Sequence, residues 1–143
     1  MKNINSFNID TSDLTATALS RQYTVTGEHG AEFILQAFSE SKQGFYDFKT
    51  KTFQGTYTST SSLKVKMSGG ISYGSINFPT TPSGDTYTIL LIAPLDKETE
   101  LTFGAGKNSY STTITQVADT TLTFTPVTAS SASYQTFPSS VTS

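Results

Sequence analysis

The chain has 143 residues and a mass of 15.4 kDa, which is the length of one ordinary domain. Its net charge is −2 and only 14% of its residues are charged, which argues against electrostatic binding of nucleic acid. The absence of Cys excludes a disulfide-stapled module and any Cys-ligated zinc or iron–sulfur site. No run of about 20 apolar residues occurs, so no membrane-spanning helix is expected.

The N-terminal third is predicted to contain an arm followed by two strands. Residues 1–18 are polar without a sustained period, which predicts an extended N-terminal arm. From Leu19 to Thr26 apolar and polar residues alternate, which predicts a half-buried strand. The segment from Ala31 to Phe38 is apolar on both faces and predicts a strand that is covered on both sides.

The middle of the chain is predicted to hold short strands separated by turns. Strands are predicted at 45–48, 52–57 and 63–67, and Gly69-Gly70 predicts a hairpin turn. The apolar residues on the two sides of Gly74 have opposite parity, so a β-bulge is predicted there.

The most apolar predicted strand runs from Asp85 to Ala93 and ends at Pro94, which cannot donate to a strand ladder. Further strands are predicted at 101–103, 110–117 and 120–125. Residues 127–143 are rich in small polar side chains and predict a C-terminal arm or linker, because such residues bury too little surface to offset chain entropy.

Eight or nine short strands with turn signals between them predict an all-β protein, an immunoglobulin-like or fibronectin-like antiparallel β-sandwich of residues 19–126 with two extended arms. A jelly roll or a small barrel is the alternative. Tyr87, near the start of the most apolar strand, is predicted either as a tyrosine corner or as an ordinary core tyrosine. The aromatic core is expected to consist of Phe33, Phe48, Phe53, Tyr73, Phe78, Tyr87 and Phe103.

No residue is predicted to be catalytic, to bind a cofactor or to ligate a metal. His29, the single His, lies in a Gly-flanked turn, where exposed polar residues are expected. The acidic loop with Asp96, Glu98 and Glu100 has oxygen ligands suited to calcium but lacks the pattern of a known binding loop, so a solvated loop is favoured. Asp10 and Asp13 could also supply oxygen ligands to calcium, but a solvated position is favoured for them too.

The remaining acidic, glycine-rich and lysine-containing segments are also predicted to have structural roles. Glu32, Asp47 and Asp85 are the acids within or beside strands, and their spacing indicates no glycosidase pair. The segment 104–109 contains Gly-x-Gly-Lys but lacks the spacing and the following helix of a phosphate loop. Four lysines are expected on solvent faces of adjacent strands, where they would block edge-to-edge aggregation: Lys49, Lys51, Lys64 and Lys66.

Three segments carry a resemblance to a known family. Residues 23–33 read Tyr-Thr-Val-Thr-Gly-Glu-His-Gly-Ala-Glu-Phe, residues 45–53 read Phe-Tyr-Asp-Phe-Lys-Thr-Lys-Thr-Phe, and the third segment spans 78–87. Together they resemble β-sandwich modules in virion structural proteins of tailed phages, notably marine T4-like ones, over about residues 20–126. The resemblance implies a capsid-, neck- or tail-associated structural module that is often multimeric and has no catalytic residues to carry over.

The leading hypothesis is therefore a non-enzymatic virion structural protein, assembled in the host cytoplasm. Its expected partners are other copies of itself and other virion proteins, with no nucleic acid, membrane or cofactor. The alternative is a module that binds carbohydrate or a receptor on a host surface, with Tyr46, Tyr57 and Tyr110 stacking on sugar rings.

Overall fold

The computed structural model describes residues 2–10, 20–79, 84–94, 101–104, 106–118 and 121–130. All regular secondary structure in these ranges is β-strand, which confirms the all-β prediction. The strands are β1 (Lys2–Ile9), β2 (Ser20–Gly27), β3 (Glu32–Ser39), β4 (Gly44–Asp47), β5 (Thr52–Phe53), β6 (Leu63–Lys66), β7 (Ile71–Asn77), β8 (Asp85–Ile92), β9 (Leu101–Phe103), β10 (Ser109–Ala118), β11 (Thr121–Phe124) and β12 (Thr128–Ser130).

The strands form two sheets, consistent with a β-sandwich. The four-stranded sheet has the order β7-β2-β1-β9. The eight-stranded sheet has the order β11-β10-β8-β3-β4-β5, with β12 pairing with β10 and β6 pairing with β3. Strands β1 and β9 run parallel, and the other pairs are antiparallel.

The core follows from the period of two along each strand, which places alternate side chains on the inner face. In β8, Tyr87, Ile89 and Leu91 belong to the core, and Leu90 and Ile92 are also buried on the other face. The central position of β8 between β10 and β3 explains why this strand is apolar on both faces. Aromatic rings contact one another at one end of the core in the pairs Tyr46–Phe53, Phe53–Tyr87, Phe78–Tyr87 and Phe53–Phe78.

The prediction of an N-terminal arm at 1–18 is wrong for its first half. Residues Lys2–Ile9 form β1, an internal strand between β2 and β9, and the side chains of Ile4 and Phe7 are buried in the core. The register of β1 against β2 shifts between Ile4 and Ser6. The buried residues Ile4 and Phe7 are therefore three positions apart instead of two, so the sequence does not show the alternation that is typical of a strand. Residues 11–18 of the predicted arm lie outside the described residues.

The prediction of a C-terminal arm at 127–143 also needs correction at its start. Thr128–Ser130 form β12, which pairs with Ser109–Ser111 of β10, and Val127 packs against the core. These residues extend the sheet because the edge of β10 beyond β11 offers unpaired backbone groups. Residues 131–143 lie outside the described residues.

The predicted bulge at Gly74 is wrong. Pairing between β2 and β7 is regular from Ser20–Asn77 to Thr26–Ile71, with Tyr23 opposite Gly74. Because no bulge intervenes, Ile76 faces the core whereas Tyr73 and Ile71 face outwards. Tyr73 is therefore the one aromatic residue wrongly predicted for the core; the other six are buried or half-buried.

The tyrosine-corner prediction is also wrong, and Tyr87 is a core tyrosine. Its Oη donates to Oε1 of Gln116 at 2.5 Å, which is a side-chain partner and not a corner backbone group. Nε2 of the same Gln116 donates to the carbonyl of Pro79 at 2.6 Å. The buried side-chain amide of Gln116 therefore provides the acceptor for the Tyr87 hydroxyl and holds the segment that follows β7 in place.

Candidate interaction surface

The outer edge of β7 is the most distinctive surface among the described residues. Of the described strands, only β2 pairs with β7, which leaves its other side as a sheet edge. Ile71 is 53% exposed and Tyr73 is 61% exposed, and they are the large apolar side chains that stand out from the described surface. Exposed apolar groups of this kind on a sheet edge indicate a contact surface.

The backbone of β7 also presents hydrogen-bonding groups at this edge. The N–H of Asn77 points away from β2, since it donates to Oη of Tyr46 at 3.2 Å. N–H and C=O groups alternate sides along an antiparallel strand, so those of Ile71, Tyr73 and Ser75 point the same way as those of Asn77. The edge therefore offers donors and acceptors to a further strand.

The side chains around this edge carry no charge. Strand β7 reads Ile-Ser-Tyr-Gly-Ser-Ile-Asn and contains neither Lys nor Pro. On the same outer face, Thr24 lies opposite Tyr73 and Thr26 lies opposite Ile71. Nothing in β7 itself provides the protection that exposed sheet edges usually have.

Strand β6 provides the contrast. It pairs with β3 alone among the described strands, and its exposed side chains are Lys64 and Lys66. The prediction that lysines lie on solvent faces of strands is confirmed for these two residues. Lys49 and Lys51 are exposed but lie in the turn between β4 and β5, so their predicted strand position is wrong.

Two carboxylates are buried among the described residues, Asp47 and Asp85, and both anchor turns. Oδ1 of Asp47 accepts hydrogen bonds from Oγ1 of Thr60 at 2.6 Å and from the N–H of Lys49 at 2.8 Å. The Thr60 hydroxyl, with the turn N–H groups, holds the pKa of Asp47 below its usual value. Asp47 therefore links the turn after β4 to the turn that contains Thr60.

Asp85 accepts more hydrogen bonds than Asp47 does. Its Oδ2 accepts from Oγ of Ser39 at 2.6 Å and from Oγ of Ser41 at 2.7 Å, while its Oδ1 accepts from the N–H groups of Ser41 and Thr86, both at 2.8 Å. Burial alone would raise the pKa of Asp85, but these hydrogen bonds outweigh it and lower the pKa. A carboxylate with four donors around it is suited to fixing the turn after β3.

The remaining sequence candidates are dispersed. His29 is exposed, as predicted, and its Nδ1 accepts from the N–H of Gly69 at 2.9 Å. Glu32 is half-buried on β3, and Asp10 is exposed just after β1. Gly104 and Gly106 have positive φ in the turn between β9 and β10, which leads into a strand and not a helix. Asp13, Asp96, Glu98 and Glu100 lie outside the described residues.

The tyrosines proposed for stacking on sugars were wrongly chosen. Tyr46 is 1% exposed and Tyr110 is 7% exposed, and burial raises the pKa of both hydroxyls. Tyr57 is half-buried against Phe45, with ring centroids 5.2 Å apart. The most accessible tyrosine among the described residues is Tyr73, and no local signal marks it, because Ile71 and Tyr73 share one parity while the equally apolar Ile76 and Phe78 share the other.

Within the described ranges, no group of three His, Asp or Glu side chains is placed to hold a metal ion. The described part of the chain also contains no helix with the length and hydropathy of a membrane span. Comparisons with models of protein families, with curated proteins and with solved structures found no match for this chain.

Proposed function

We propose that this chain is a non-enzymatic virion structural protein, a capsid-, neck- or tail-associated subunit or decoration module that acts through protein–protein contacts. The sequence resemblance described above supports the virion setting and assembly in a host cytoplasm. The observation that carries the assembly role is the uncharged β7 edge with exposed Ile71 and Tyr73. The partners proposed are other copies of the chain and other virion proteins.

A second copy of the chain fits this edge by two-fold antiparallel pairing. If Tyr73 of one copy faces Tyr73 of the other, Ile71 lies opposite Ser75, and three facing pairs exchange about six backbone hydrogen bonds. The exposed rings of the two Tyr73 residues then lie side by side on the outer face, where cross-strand aromatic pairs add stability. With no charge on β7, no repulsion opposes this pairing.

The test is the oligomeric state of the full chain, measured by light scattering and native mass spectrometry over a range of concentrations. Tyr73→Lys places two like charges against each other at the two-fold axis and should convert oligomers to monomers. Thr24→Lys adds the same charge to the neighbouring strand on the same face and should leave the oligomer intact. Circular dichroism shows whether both variants fold.

Two outcomes would count against the assembly role. One is a wild-type chain that remains monomeric at the highest attainable concentration. The other is dissociation by Thr24→Lys to the same degree as by Tyr73→Lys, which would indicate a general charge effect instead of a specific edge.

The finer description of the fold belongs to the same proposal. An immunoglobulin-like or fibronectin-like sandwich is supported by two sheets of mainly antiparallel strands within one domain length.

We also propose that residues 131–143 contribute a Ser/Thr-rich arm that contacts neighbouring subunits. Deleting 131–143 should weaken incorporation into particles while leaving the thermal transition of the isolated chain unchanged.

The alternative is a module that binds carbohydrate or a receptor on a virus or cell surface. It is favoured by Tyr73, whose exposed ring lies beside Gln22, Thr24 and Ser75 on a face rich in hydroxyl and amide groups. Aromatic rings with neighbouring polar groups suit the apolar faces and hydroxyls of sugars. A glycan array with the wild-type chain and Tyr73→Ala tests this alternative, and an absence of signal that depends on Tyr73 would reject it.

A further inference from the structure

A cleft of about 340 Å³ opens between the two sheets, where β5 at the edge of one sheet meets the end of β7 at the edge of the other. Phe53 and Phe78 form its base, with ring centroids 5.9 Å apart in a stacked arrangement. Pro79 continues the apolar wall. The volume lies near the lower end of the range of small-molecule pockets, about 300–1,000 Å³.

Two lysines, Lys42 and Lys51, line this apolar cleft. Both are exposed, and neither ammonium group has an ion pair or hydrogen bond with any of the described residues. No carboxylate is among the described residues that line the cleft. The nearby Asp47 and Asp85 are occupied by the hydroxyl and N–H donors of their own turns.

The backbone holds both lysines in unusual turns. Gln43, next to Lys42, has φ of 50°, and Lys51 itself has φ of 63°. They are the non-glycine residues with positive φ in the described part of the chain. This left-handed conformation costs free energy in residues with a side chain, and such strain concentrates at functional sites. The two turns converge on one cleft from different parts of the chain.

We propose that this cleft binds a small carboxylate with an aromatic ring, the ring lying against Phe78 and Pro79 and the carboxylate contacting Lys42 and Lys51. The apolar base excludes water from one side of the ring, and the two unpaired positive charges select an anion over its neutral analogue. The cleft is too small to cover a folded partner, which favours a free small molecule. The groups proposed to contact the ligand, Lys42, Lys51, Phe78 and Pro79, lie outside the segment 71–75 that faces the second copy in the proposed pairing through β7.

The experiment is an NMR titration of the isotopically labelled full chain with phenylacetate. Saturable shifts of the backbone amides of Lys42, Thr52 and Asn77 are expected, with a Kd of about millimolar for so small a probe. Phenylacetamide, which keeps the ring without the charge, and acetate, which keeps the charge without the ring, should each bind several-fold more weakly. Equal affinity for acetate and phenylacetate would overturn the proposal.

Charge-matched variants separate a specific site from general attraction. The double variant Lys42→Gln/Lys51→Gln should weaken phenylacetate binding by about tenfold, since each exposed ion pair contributes up to about fivefold. Lys64→Gln/Lys66→Gln removes the same charge from β6 and should leave binding unchanged. Equal losses in both double variants, or no saturable shift up to the solubility of the probe, would overturn the proposal.

Discussion

The Oη of Tyr110 donates a hydrogen bond to the backbone carbonyl of Asn5 at 2.7 Å and so links β10 of one sheet to β1 of the other. Asn5 lies at the irregularity between Ile4 and Ser6, where the pairing of β1 with β2 shifts. A carbonyl displaced from its ladder in this way lacks a strand partner, and this one is partly buried, so it gains from another donor. Tyr110 provides that donor and fastens the N-terminal strand to the sandwich.

Replacing Tyr110 by Phe should therefore destabilise the protein. The change leaves the ring in place but deprives the Asn5 carbonyl of its partner, which should lower the free energy of unfolding by about 1–2 kcal/mol. Urea denaturation measures this loss. Tyr73→Phe removes a hydroxyl from an exposed ring and should change stability by less than about 0.5 kcal/mol. Equal effects of the two changes would contradict the role given to Tyr110.

Asp85 should be the acidic residue whose loss affects stability most. Asp85→Ala removes the acceptor for two hydroxyls and two N–H groups and should cost about 2–4 kcal/mol. Asp85→Asn keeps one carbonyl oxygen and should cost less. Glu40→Gln removes one negative charge from the same turn, where the side chain is exposed, and should be near neutral in the same denaturation assay. A large effect of Glu40→Gln would show that charge, not hydrogen bonding, is responsible.

Stability should fall at acidic pH because of Asp47 and Asp85. Both carboxyl groups have a lower pKa in the folded chain than the ordinary value of 3.8. Their contribution is therefore fully present above that value and is lost as the pH falls through the folded pKa. Thermal melts from neutral pH downwards should show a decline that is shallower in Asp85→Asn. An unchanged decline in that variant would rule out Asp85 as a source.

Stability should also fall at alkaline pH because of buried tyrosines. Burial raises the pKa of Tyr23 to about 12 and raises that of Tyr87 further. Unfolded tyrosine ionises near pH 10, so the folded state loses stability as the pH rises from about 10 towards 12. Tyrosinate absorbance during an alkaline titration should show Tyr23 and Tyr87 ionising only as the chain unfolds. Ionisation of Tyr23 and Tyr87 near pH 10 in the folded chain would contradict this.

Gly74 should not tolerate a larger residue, because the ring of Tyr23 lies over it. A Cβ at position 74 would be 2.5 Å from Oη of Tyr23, so Gly74→Ala should cost about 1–3 kcal/mol. Gly70→Ala is the matched control, since its Cβ would have its nearest neighbour at 3.6 Å. Combining Gly74→Ala with Tyr23→Leu should cost less than the sum of the two changes, and strict additivity would argue against the contact.

The period-two alternation by itself determined the all-β class and most of the strands. It is a local property, because successive side chains of a strand face opposite sides whatever the partner strand is. It therefore located β2, β3 and β8 to within a residue or two and identified most of the aromatic core. It failed at β1, where the irregularity at Asn5 separates Ile4 and Phe7 by three positions.

Only the tertiary structure decided which strands are edges and which distant turns meet. Whether Tyr73 is core or surface depends on the register of β7 against β2, which no local pattern specifies. The placement of Lys42 and Lys51 beside Phe78 likewise depends on how the two sheets pack. The two lysines lie in separate turns of the eight-stranded sheet, whereas Phe78 follows β7 of the four-stranded sheet. The sequence determines the strands locally, whereas surfaces and clefts arise from contacts between residues far apart in the chain.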